Sequence, residues 1–152
     1  MKRIFSLGLI ATVLAAFTFT SCSKDDDDDD ASIVGKWSLT STKIASGGES
    51  ITISKENLSD DILEFKDNGT FKAIIEEEGV KEEFSGTYKI SGNILTTTDE
   101  EGTENIKFSI SGNKLTLQYE YYYDEENDEE YETQPAGKNY PKVTESLIYT
   151  RM

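Results

Sequence analysis

From about residue 70 onward, apolar residues recur at every second position rather than at every third or fourth. Phe71, Ala73 and Ile75 alternate with polar residues, as do Phe84, Gly86, Tyr88 and Ile90, then Ile106, Phe108 and Ile110, then Leu115, Leu117, Tyr119 and Tyr121. A period of two places these side chains on one face of a strand, with Lys72, Lys89, Lys107 and Glu120 on the other. This is the pattern of an antiparallel sheet with one buried face. Between the runs stand turn residues. Asp67-Asn68-Gly69-Thr70 carries an Asn-Gly pair that predicts a tight hairpin, and Glu78-Gly79 and Glu101-Gly102 mark further turns. Ile90-Ser91-Gly92-Asn93-Ile94-Leu95-Thr96 returns as Ile110-Ser111-Gly112-Asn113-Lys114-Leu115-Thr116. It occurs only twice, so it reads as two hairpins with the same turn chemistry and not as a solenoid.

The segments between turns predict eight strands, at about 34–43, 62–67, 70–77, 80–90, 93–99, 103–111, 114–123 and 143–151. Short connections make sequence neighbours pair, so the expected fold is all-β, an eight-stranded antiparallel up-and-down barrel, which leaves no exposed sheet edges. At eight strands the interior is either just filled by side chains or just roomy enough for one small ligand. Two connections exceed turn length, 44–61 and 124–142; such loops are usually lids or disordered segments. Ser54-Lys55-Glu56-Asn57-Leu58 in the first has the look of a short helix start. Connections in a meander alternate between ends, so both long ones are expected to flank the same mouth.

The N-terminus follows different rules. Lys2 and Arg3 precede a largely apolar stretch from Ile4 to Phe19, and then Thr20, Ser21 and Cys22. A positive start, a short apolar segment and small residues before a cut describe an export signal, expected to end at residue 21. The apolar segment is shorter than the roughly 20 residues that span a bilayer, and the aspartates after it make a poor membrane flank. Phe19-Thr20-Ser21-Cys22 resembles the lipobox of bacterial lipoproteins, departing from it in having Phe19 where leucine is usual. The resemblance implies that Cys22 is the lipidation site, acylated and left as the first residue of the mature chain. Several acyl chains at about 0.8 kcal/mol per buried methylene then give durable membrane attachment. Asp25 to Asp30 follow, a block of like charge expected to be an extended tether. It resembles the acidic export signal of surface-exposed lipoproteins in Bacteroidetes-type bacteria, which implies the outer membrane and the cell surface; read as a plain solvated spacer, it leaves an outer-membrane lipoprotein that faces the periplasm. The expected organisation is thus a signal over 1–21, a lipidated cysteine and tether over 22–32, and one barrel domain over 33–152.

Charge and composition then narrow the function. The chain carries 15 basic and 30 acidic residues, a net −15; loss of Lys2 and Arg3 leaves 13 basic residues and a net −17. So negative a surface repels phosphate backbones and disfavours nucleic-acid partners. Histidine is absent and Cys22 is the sole cysteine. Intramolecular disulfides, thiol nucleophiles, Ser-His-Asp triads and histidine-based zinc sites are thereby excluded. No cofactor and no enzymatic activity are expected. The acidic run Asp124 to Glu132 has calcium-type donors but lacks the glycine of an EF-hand loop, so it reads as a solvated loop and not as a metal site.

Gly35-Lys36-Trp37, at the start of the first strand, resembles the G-x-W motif of lipocalins, and Arg151 stands where those proteins carry an arginine over the tryptophan. Asp60-Asp61-Ile62-Leu63-Glu64-Phe65, Asp67-Asn68-Gly69-Thr70-Phe71 and Gly86-Thr87-Tyr88 are similar to segments of lipocalin-like domains in Bacteroidetes lipoproteins. The resemblance implies that Gly35, Trp37 and Arg151 close one end of the barrel; an arginine over an indole face gains roughly 0.5–2 kcal/mol. Two functional readings stay open. In one, a small apolar or amphipathic ligand enters an apolar pocket of about 300 Å³ or more between the long connections, lined by Phe71, Ile75, Tyr88, Ile106, Phe108, Leu117 and Tyr119. Carboxylates near the mouth would then favour neutral or cationic ligands. In the other, these residues fill the barrel and the protein meets protein or glycan partners through its loops.

Overall fold

The computed structural model describes residues 32–152. The expected signal (1–21), the lipidation site Cys22 and the aspartate tether lie outside the described residues. Ten strands and one short 3-10 turn follow in chain order: β1 (Gly35–Ser46), β2 (Glu49–Ser54), the turn (Lys55–Asn57), β3 (Asp60–Phe65), β4 (Thr70–Glu77), β5 (Val80–Ser91), β6 (Ile94–Thr98), β7 (Thr103–Ser111), β8 (Lys114–Asp124), β9 (Glu129–Tyr131) and β10 (Lys142–Arg151). Every pairing is antiparallel. β1 pairs with β3, successive strands pair from β3 through β8, and β8 pairs with β10, which returns to β1. Eight strands therefore close an up-and-down barrel, with β2 and β9 outside the circuit.

The two extra strands explain the long connections. β3 pairs only with residues 35–38 of β1, and the rest of β1 turns back on itself through Gly47-Gly48 to pair with β2. Likewise β7 leaves β8 near Gln118, and Tyr122 to Asp124 pair with β9. Where a lid or a disordered loop is expected, each connection instead begins with a hairpin that extends a barrel wall, and in the second a strandless segment, 132–141, leads on to β10. The expected helix start is the 3-10 turn at Lys55–Asn57. Both extensions stand at the same end, as the alternation of connections requires.

The turns bear out the spacing with one change. Gly92 and Gly112 each take φ near +60°, at the first position of two-residue hairpins of matching geometry. Asn68-Gly69 belongs to a longer loop: Gly69 has φ +79°, while the Asn68 side chain accepts hydrogen bonds from the Thr70 backbone N–H and hydroxyl. The core occupies the barrel interior, where Trp37, Leu39, Leu63, Phe65, Leu95, Leu115 and Tyr149 are buried together. β1 shifts phase between Leu39 and Ser41, so its inward positions pass from Trp37 and Leu39 to Thr42 and Ile44.

Candidate ligand site inside the barrel

One end of the barrel is plugged. Trp37 is fully buried, and its indole N–H donates to the Ile33 carbonyl at 2.7 Å. The Arg151 guanidinium lies over the ring at 4.2 Å and donates to the Val34 and Ser32 carbonyls at 2.8 and 2.6 Å. Gly35 passes so close that a Cβ there would sit 2.7 Å from Arg151 Nη1. The chain's first described residues are thus strapped across the barrel floor by one arginine. Planar and always charged, this side chain stacks on the indole and serves two carbonyls at once.

Of the side chains expected to line a pocket, Phe71, Ile106 and Leu117 are buried in the core cluster, and Tyr88, Phe108 and Tyr119 pack against it half-buried. Tyr88 meets Phe65 edge to face at 5.1 Å, and its hydroxyl donates to the Lys66 carbonyl at the plugged end. Ile75 is half-buried at the opposite end, in register with Asp61 on β3 and Glu82 on β5. The apolar set therefore divides, most of it filling the barrel towards Trp37 and part of it facing the far end.

The far end is not apolar. Alternation from Leu63 and Phe65 back along β3 brings Asp61 inward; from Ile106 and Phe108 back along β7 it brings Glu104; from Tyr149 and Leu147 back along β10 it brings Glu145. Asp61 and Glu145 are buried. Asp61 Oδ2 accepts from the Tyr149 hydroxyl at 2.8 Å, whereas its Oδ1 is buried without a hydrogen-bond partner. The Tyr119 hydroxyl, inward on β8, is likewise buried and unpartnered. Burial raises the Asp61 carboxyl to about 6, against the Tyr149 hydrogen bond and the charge of Lys55, which lower it. Glu104 rises to about 7, first through burial and then through the negative charges of Glu132 and Asp99. Burial, Glu104 and Asp61 together push the Tyr119 hydroxyl far up. The three groups share one electrostatic neighbourhood.

Two surface depressions bear on where a ligand could enter. One, of about 340 Å³, lies at the far-end rim between Asn57–Asp60 and Glu76–Gly79, one residue from Asp61. The other, about 590 Å³, lies outside the plugged end against Val34, Tyr88, Ile90 and Ile110. Neither is the apolar pocket expected between 44–61 and 124–142. The rim depression is lined mainly by polar residues, and the inward positions below the rim carry carboxylates and hydroxyls. The acidic connection itself is internally tied. Asp124 is buried at its base, with Oδ1 accepting from the Glu126 N–H and Oδ2 from the Asn127 amide; the Tyr140 hydroxyl foremost, then Asn127, holds this carboxyl down to about 2. Tyr131 stacks on Tyr140 at 5.7 Å and donates to Glu129.

Asp61, Glu104 and Glu145 lie outside the set of alternating apolar residues that the sequence marks as lining. The signal was available in the alternation: each stands two residues before an inward apolar residue on its own strand. A carboxylate at the inward phase marks a barrel that keeps charge inside.

Residues 33–117, more than half of the chain, match the family model described as "Lipocalin-like domain". Among solved structures, the chain is similar to a lipocalin-like protein from Bacteroides uniformis, at 20% identity and a TM-score of 0.47, covering 79% of this chain and 98% of that one. It is also similar to an uncharacterized protein from Bacteroides eggerthii, at 14% identity and a TM-score of 0.46, covering 78% and 98%. No curated protein matches the chain.

Proposed function

Because the chain belongs to the lipocalin-like domain family, whose fold is generally one of binding and carriage, we propose that it is a non-enzymatic binding protein that takes a small ligand into the barrel end opposite Trp37. The observation that carries this reading is the pair of polar atoms inside that end, Asp61 Oδ1 and the Tyr119 hydroxyl, buried without partners. Leaving a buried polar group unsatisfied costs about 1–3 kcal/mol, so a ligand that satisfies these atoms recovers that cost. The plug supports the same reading: with one end closed by Trp37 and Arg151, entry is by the rim where the 340 Å³ depression opens.

The export-signal and lipobox resemblances of the N-terminal sequence support a place for the barrel in the cell envelope. In this proposal Cys22 carries the lipid, the aspartate run spaces the domain from the outer membrane, and the protein faces the cell surface. The first described residues lie on the plugged end, where Arg151 holds the Ser32 carbonyl, so a tether leaving from there turns the opposite end away from the membrane. Tyrosine fluorescence, titrated with neutral, cationic and anionic amphiphiles, tests the binding reading. Saturable changes with at least one class are expected; the absence of a response to all of them refutes it.

A further inference from the structure

Resting on that reading, we propose that the barrel recognises a protonated amine, with Asp61 receiving its charge and the Tyr119 hydroxyl accepting one of its hydrogen bonds. The first ground is the distribution of charge. Inward positions at this end carry Asp61 from β3, Glu104 from β7 and Glu145 from β10, while Lys36, Lys43, Lys72, Lys81, Lys89, Lys107, Lys114 and Lys142 all fall on the outward phase of their strands. Arg151 is inward but belongs to the plug. Lys55, whose charge acts on Asp61, is half-buried at the rim in an ion pair with Asp60 at 2.6 Å. The ionisable side chains on the inward phase at this end are therefore acidic, and the strand lysines take the outward phase.

The second ground is what the orphaned atoms can accept. Asp61 is only 9% exposed, and its Oδ2 is engaged by Tyr149 while Oδ1 is free. An ammonium has three N–H donors and no acceptor. One donor satisfies Oδ1, a second reaches a hydroxyl oxygen such as that of Tyr119, and the positive charge offsets a carboxylate that burial otherwise penalises. A carboxylate ligand would add a further negative charge to this interior, and a neutral alcohol would satisfy hydrogen bonds without offsetting charge. An inorganic cation fits less well, because no group of three or more His, Cys, Asp or Glu side chains able to hold a metal ion occurs among the described residues.

The groups that face Asp61 and Glu104 set the pH dependence. They are Tyr149 on β10, Tyr119 on β8, Lys55 in the 3-10 turn, Asp99 after β6 and Glu132 after β9; Glu145 on β10 stands in register with Tyr119, and exposed Glu82 on β5 takes the inward phase beside Ile75. A bound amine stabilises the ionised carboxylates, so binding releases protons and strengthens from pH 5 to pH 8, while the amine itself stays protonated.

The test uses the full mature chain carrying Cys22→Ala, with n-octylamine, 1-octanol and octanoate as probes in calorimetric titration. At pH 7.5 octylamine is expected to bind about tenfold or more tightly than octanol, the size of one charge-assisted contact, with octanoate weakest. The preference shrinks at pH 5. Asp61→Asn should bring octylamine down to the affinity that octanol shows for the same variant. Tyr119→Phe, which keeps the ring and so the packing, should weaken octylamine about threefold to tenfold and octanol less. Equal binding of octylamine and octanol, or a preference that survives Asp61→Asn, overturns the amine assignment and leaves the binding reading standing. Binding of none of the three overturns both.

Discussion

Replacing Asp61 by asparagine keeps an oxygen to accept from the Tyr149 hydroxyl and takes away the charge, so it isolates what that charge does to stability. The carboxyl is raised from 3.8 to about 6 in the folded protein, with burial as the dominant cause. A carboxyl whose pKa is higher folded than unfolded binds more protons in the native state between those values, so native stability falls as pH rises through that window. The ionised group is fully penalised above pH 6 and scarcely penalised below pH 4. One unit is worth 1.36 kcal/mol, so the penalty is about 3 kcal/mol at pH 8 and about 0.5 kcal/mol at pH 4. The asparagine amide brings its own cost for a buried N–H₂, about 1–3 kcal/mol, which does not vary with pH. Its size decides whether the variant is more stable at pH 8; the swing does not depend on it. Glu104 titrates in the same direction in both proteins and cancels to first order. Urea unfolding of wild type and Asp61→Asn at pH 4, 6 and 8 should show the variant gaining about 2.5 kcal/mol relative to wild type from the lowest to the highest pH. A difference constant to within about 0.5 kcal/mol, or one that moves the other way, refutes the claim that Asp61 is ionised inside the barrel at a cost.

Three further outcomes follow from the plug, a close approach and the anchor. Trp37→Ala removes a fully buried indole, its hydrogen bond to Ile33 and the platform under Arg151, and should cost about 3–5 kcal/mol in urea unfolding; a loss below about 1 kcal/mol would show that the plug is dispensable. Gly86→Ala should destabilise by about 2 kcal/mol or more, because the added Cβ would stand 2.0 Å from the Thr98 carbonyl oxygen and 3.0 Å from Phe71. A thermal unfolding midpoint unchanged from wild type would contradict the packing of β5 against β6. Cys22→Ala should abolish incorporation of a palmitate analogue in cells, and a labelled variant would rule out Cys22 as the acylation site.

The barrel was legible because alternation is a local property. Phe71-Ala73-Ile75 and Leu115-Leu117-Tyr119 declare their faces without any partner strand, and the glycines at 92 and 112 place the hairpins to within a residue. β2 and β9 were not legible. Ile51 and Ile53 alternate too, but β2 lies outside the barrel with one edge unpaired and Ile51 largely exposed, so burial did not give it the apolar signature that marks the other strands. Tyr131 owes its place to a stack with Tyr140 nine residues on, which no short-range pattern encodes. The interior charge was missed for a related reason. In a chain with 30 acidic residues an Asp or Glu at a strand end reads as solvated, and only the register of three separate strands brings Asp61, Glu104 and Glu145 to the same side of the sheet.

The central claim is that ligand enters the barrel at the end opposite Trp37, and amide chemical-shift mapping tests it residue by residue. In ¹H–¹⁵N spectra of the mature chain with Cys22→Ala, titrated with octylamine, shifts should concentrate at Asp61, Ile75, Phe84, Glu104, Tyr119 and Glu145, leaving Ile33, Trp37, Gly92, Asn113 and Arg151 in place. Shifts centred on the plugged end, or confined to the acidic connection at 125–141, would contradict the account.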